Sequence, residues 1–72
     1  MTTLRLVGWN KGIRSVSLVV AIKEHSTGSL SEAKRLVERL MAGDEVTLAF
    51  SDESTRHTFS VLAEELGAVI GH

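Results

Sequence analysis

Apolar and polar positions alternate over residues 3–7 (Thr-Leu-Arg-Leu-Val) and again over residues 45–50 (Glu-Val-Thr-Leu-Ala-Phe). A period of two predicts, in each case, a strand with one buried face. The run Gly8-Trp9-Asn10-Lys11-Gly12 ends the first strand, and a turn at Gly43-Asp44 precedes the second. Ala68-Val69-Ile70 is a short third strand candidate.

A period between three and four appears twice. Leu30, Ala33, Leu36, Val37 and Leu40 fall on one face of a helix. Ser29 is placed to cap its first turn, and Glu32, three residues on, completes a capping box. Gly43 provides a residue tolerant of the left-handed stop. The second such helix is expected to start at Ser51, with Asp52 and Glu53 in its positive first turn. It buries Thr55, Phe59, Leu62, Ala63 and Leu66, and Gly67 ends it.

Residues 13–25 fit both periods. Val16, Leu18, Val20 and Ile22 alternate with smaller residues, and β-branched side chains favour a strand. Asn10-Lys11-Gly12 would then be a hairpin loop. Ile13, Val16, Val19, Val20 and Lys23 equally form a helical stripe, and burial overrides propensity where the two conflict. Local pattern leaves both structures open.

Seventy-two residues enclose one core, so a single domain over residues 1–72 is expected. The longest apolar run covers five residues, 18–22, far short of a membrane span or a signal-peptide core. Cysteine is absent, which excludes disulfides, thiolate metal sites and a catalytic thiol. The histidines at 25, 57 and 72 are too scattered to suggest a zinc site. These features fit a small cytoplasmic protein with no cofactor and no metal.

Net charge is -1, so bulk electrostatics will not hold the chain on nucleic acid or an anionic membrane. Its distribution says more than its total. Residues 1–43 carry seven Lys or Arg against three Glu, a net +4, whereas residues 44–72 carry Arg56 against six acidic groups, a net -5. A basic half suits an acidic partner, although charges placed only for solvation and helix ends give the same pattern.

Catalytic chemistry finds little support. No glycine-rich phosphate loop follows a strand, and no serine sits in a nucleophile-elbow motif. Glu64 and Glu65 are adjacent on a helix and point about 100° apart, which makes them a poor acid–base pair. The chain is not expected to be an enzyme. Trp9, the single tryptophan, is either a ring covering one edge of the core or an exposed anchor for a partner.

One motif is more specific. Thr27-Gly28-Ser29-Leu30-Ser31-Glu32-Ala33-Lys34-Arg35-Leu36-Val37-Glu38 resembles the C-terminal, factor-binding domain of the bacterial ribosomal stalk protein, with its Thr-Gly turn followed by Leu, Glu-Ala-Lys and Leu-Val-Glu. Asn10-Lys11, Ile22-Lys23-Glu24 and Leu62, Leu66 and Gly67-Ala68 extend the likeness over residues 4–70. The resemblance implies the order strand-helix-helix-strand-helix-strand. That is an α+β fold, a two-layer sandwich with three helices on one face of a three-stranded sheet. Residues 13–24 are then helical. Leu6, Val20, Leu36, Leu40, Leu48, Phe59, Leu62 and Leu66 are expected to be mostly buried. The family's N-terminal dimerising segment and hinge have no counterpart within these 72 residues.

The resemblance also implies a function: a non-enzymatic module that binds translation GTPases through its first two helices. By position, Val16 and Val19 correspond to the family's apolar contacts and Lys23 to the basic end of its first helix. Glu32 and Lys34 correspond to the second-helix pair, and Arg35 adjoins them. Ser15 and Val20 stand where the family carries further basic residues.

A second likeness is to the N-end-rule adaptor of the Clp protease, which is similar in fold order. Of that family's acidic strand-exit motif only Asn10 is kept, and Met41-Ala42 replaces its paired histidines. The sequence thus leads to a protein-binding module linked to the ribosome or a translation factor, with a free-standing adaptor outside translation as the alternative.

Overall fold

The alternating segments and the C-terminal apolar triplet assemble into one antiparallel sheet, with the remaining chain as three helices. A computed structural model describes residues 2–71. The elements follow in the order β1 (Thr2–Trp9), α1 (Ser15–His25), α2 (Leu30–Met41), β2 (Val46–Phe50), α3 (Glu53–Leu66) and β3 (Ala68–Gly71). This is the expected α+β order, and a hairpin of residues 3–8 with 13–22 does not form.

β1 is the central strand, flanked by β2 and β3. Leu4 pairs with Leu48, and Leu6 with both Val46 and Ile70, so these five side chains share the buried face. Thr3, Arg5 and Thr47 take the other face, and Arg5 meets Glu45 there at 2.8 Å. Between Leu6 and Gly8 the pairing with β3 shifts by one residue. The bulge lets β1 run two residues past Val7, into the segment expected as a turn, and sets Trp9 opposite the buried Ala68. Trp9 is 41% exposed at this end of the sheet.

The helices cover one face of the sheet, completing the two-layer sandwich. Leu18, Ala21 and Ile22 of α1, Ala33, Val37 and Leu40 of α2, and Phe59 and Ala63 of α3 join the inward strand residues in one core. α1 packs beside both α2 and α3.

Two expectations about burial need correction. Val20 is 46% exposed rather than buried, and Leu30 is 43% exposed. Leu36, Leu62 and Leu66 are mostly buried, as expected, and pack against the core from its margin. The stripe expected on α1 through Ile13, Val16, Val19 and Val20 is also out of phase. Residues two apart on a helix point about 200° apart, and residues four apart nearly coincide. The alternating aliphatics of this segment therefore divide: Leu18 and Ile22 face inward, and Val16 and Val20 face outward.

Helix ends account for most of the boundaries. Ser29 accepts the N–H of Glu32 at 3.2 Å, one half of the expected capping box, whereas the Glu32 carboxylate makes no return bond to Ser29 N–H. α1 has no side-chain cap. Its start is tied instead to the end of α3, where Arg14 N–H donates to Leu66 O at 2.9 Å and Asn10 N–H to Gly67 O at 2.8 Å. α3 begins at Glu53 rather than at Ser51, because Asp52 is the N-cap and accepts the N–H of Thr55 at 2.7 Å.

That bond, made to the charged form, holds the Asp52 carboxyl below its ordinary value of 3.8. Well above pH 3.8 the group is ionised whether folded or unfolded, and the cap contributes fully. As pH falls below 3.8 the unfolded chain takes up the proton first, and the contribution fades through the lower folded value. Asp52→Ala should accordingly lower the melting temperature at neutral pH and flatten the acid limb of its pH dependence. Thermal melts from pH 2 to pH 7 test this; an acid limb identical in the two proteins would exclude the capping role.

Candidate functional site

The loop between α1 and α2 is short, so the helices form an antiparallel hairpin. Their outer surfaces diverge over a groove of about 420 Å³. Ser15, Val16 and Val19 form one wall; Lys34, Val37, Glu38 and Met41 form the other. Small β-branched residues on α1 leave this space open, where longer side chains would close it. The walls are mostly apolar, and Lys34 and Glu38 stand one helical turn apart on the α2 side.

Of the six residues expected at a binding surface, Val16, Val19 and Lys34 line the groove together. Lys23 is exposed and follows Val19 by one turn, toward the end where α2 begins. Arg35 is also exposed, but the helical step turns it about 100° away from Lys34. Glu32 stands on another side of α2: its carboxylate reaches to 2.8 Å from the place a Cβ on residue 28 would occupy. The six therefore do not share one face.

Val37, Glu38, Met41 and Ser15 complete the groove and were not among the expected residues. Lys34, Glu38 and Met41 are spaced by four and three, a stripe present in the sequence beside the buried one. Only the approach of α1 distinguishes it from solvent-facing helix.

A second, smaller groove of about 300 Å³ runs along the other side of α1. Val16, Ser17, Val20, Ala21 and Glu24 face Leu62 and Leu66 of α3 across it. Val16 belongs to both grooves and is 78% exposed, so it forms the ridge between them.

The histidines are placed elsewhere. His25 sets Nδ1 2.9 Å from Ala21 O and packs its ring 6.1 Å from that of Phe59. His57 is exposed on α3, and position 72 lies outside the described residues. Among the described residues no three His, Cys, Asp or Glu side chains gather as metal ligands, and no helix is long and apolar enough to cross a membrane.

Comparison with models of known protein families, with curated proteins and with solved structures finds no match.

Proposed function

We propose that the chain is a non-enzymatic protein-binding module, linked to the ribosome or a translation factor, that holds an amphipathic segment of its partner in the α1–α2 groove. The observation that supports this reading is Val16, 78% exposed at the lip of a mostly apolar groove whose other wall carries Lys34. An apolar helix face laid into such a groove gains affinity from burial, and Lys34 and Lys23 at the rim steer an acidic partner. The link to translation rests on the likeness of residues 27–38 to the stalk domain.

One feature favours the alternative, a free-standing adaptor with a partner outside translation. The groove itself is of mixed charge, with Ser15 and Glu38 beside Lys34. The stalk domain's more cationic surface is only partly present.

The test is a titration of purified translation GTPases against the parent chain and its Lys23→Glu and Lys34→Glu variants, at low and high salt. Each reversal should weaken binding severalfold and reduce its salt dependence. Equal binding by all three proteins would exclude this surface. Failure of every GTPase to bind would leave the adaptor reading, to be pursued through partners recovered by the parent and lost with Lys34→Glu.

A further inference from the structure

The outer face of α1 is apolar along its centre and oppositely charged on its two flanks. Val16 and Val20 point away from the buried Leu18 and Ile22 and straddle the outward direction. Lys23 continues the Val19 side, toward α2, and Glu24 lines the groove toward α3. Among the described residues neither Lys23 nor Glu24 forms a salt bridge. Exposed β-branched residues in mid-helix lower helix propensity without the compensation of burial, so the fold alone gives no reason for them.

We propose that this face is the interface of a two-fold dimer in which α1 packs parallel to α1 of a second copy. The charges choose the arrangement. A two-fold axis parallel to α1 sets the α2 side of one chain against the α3 side of the other. Lys23 of each copy then meets Glu24 of the other, at the C-terminal end of the stripe that Val16 and Val20 form between the two chains. An axis across α1 would instead set α2 side against α2 side and bring Lys23 toward the Ser15 end, where α1 has no carboxylate and the one α2 places there, Glu38, stands a turn from the like-charged Lys34.

The flanking helices agree with the parallel choice. α2 bears Lys34, Arg35 and Arg39 against two Glu, whereas α3 bears Glu53, Glu64 and Glu65 against Arg56 alone. A stable interface buries about 800 Å² on each partner, roughly a fifth of this chain's 4395 Å². The ridge and its two grooves lie at the centre of such an area. Self-association does not depend on the partner reading, but the two compete for Val16.

Sedimentation equilibrium of the chain and its variants tests the dimer. The parent should self-associate, and Val16→Asp should be monomeric with an unchanged circular dichroism spectrum. Lys23→Glu and Glu24→Lys should each weaken association about tenfold, because each replaces two attractive pairs by repulsive ones. The double variant Lys23→Glu/Glu24→Lys should recover the parent's affinity. Val20→Cys, in a chain otherwise free of cysteine, should oxidise to a covalent dimer, since a parallel two-fold sets position 20 against itself. A parent that stays monomeric, a dimer indifferent to Val16→Asp, or a double variant no better than the singles would each overturn the proposal. Lys34→Glu titrated against a partner, with the chain dilute enough to be monomeric, reports on the groove reading separately.

Discussion

Phe59→Ala should remove about 3–5 kcal/mol of folding stability, the usual range for deleting a buried aromatic ring. Phe59 is fully buried where α3 meets both the sheet and α1. Its ring lies 5.2 Å from that of Phe50 and 6.1 Å from that of His25, so one truncation strips contacts from β2, α1 and α3 together. A domain of this size has roughly 4–11 kcal/mol of stability in all. The variant should therefore unfold at a much lower urea concentration, with a large unfolded fraction near physiological temperature. Phe59→Leu, which keeps most of the volume, should cost markedly less. An Ala variant within about 1 kcal/mol of the parent would show that Phe59 is not at the centre of the core.

Gly67→Ala should cost about 2–3 kcal/mol, a large effect for one added methyl group. Gly67 ends α3 at φ 106°, in the left-handed region where a Cβ is disfavoured. A Cβ there would stand 2.9 Å from Ile13 Cα and 3.2 Å from Ile13 Cβ. Backbone cannot step aside as a flexible side chain does, because the bonds from Asn10 N–H to Gly67 O and from Arg14 N–H to Leu66 O fix this junction. Gly43→Ala is the matched control: its φ is 101°, but nothing lies within 4 Å of the added Cβ. Chemical denaturation should rank Gly67→Ala well below Gly43→Ala. Equal costs would mean that the close approach of Ile13 is relaxed in solution.

Ser29, Asp52 and Gly67 place three helix ends within two residues, because capping depends on residues only a few positions apart. α1 lacks such a cap, and residues 13–25 fit both periods, so the local pattern leaves two structures open there. Its start is secured by carbonyls of residues 66 and 67, more than fifty positions away, and no local pattern contains them. The stalk-like motif in residues 27–38 supplied the helical choice that the local pattern left open.

The candidate site was legible only in part. Val16, Val19 and Lys34 were singled out and line one groove, yet Glu32 and Arg35, neighbours in sequence, turn to other sides of α2. Val20, which the sequence pattern assigns to the core, lies on the surface. The strand-like alternation of Val16, Leu18, Val20 and Ile22 makes both sides of the helix equally apolar, so periodicity cannot select the side that docks. α2 and α3 make the selection by burying Leu18 and Ile22 between them.

The sequence by itself determined the strands, the capped ends of α2 and α3 and most of the core, because each follows from spacing and capping within about a dozen residues. It also determined the absence of thiol chemistry and the separation of charge between the two halves, which are matters of composition. Tertiary structure decided the phase of α1, the bulge that carries β1 through to Trp9, and the grooves on either side of Val16. Each depends on contacts between segments distant in the chain. The free energy that fixes them is the burial of one apolar side in preference to another, and neither side is marked in the residues themselves.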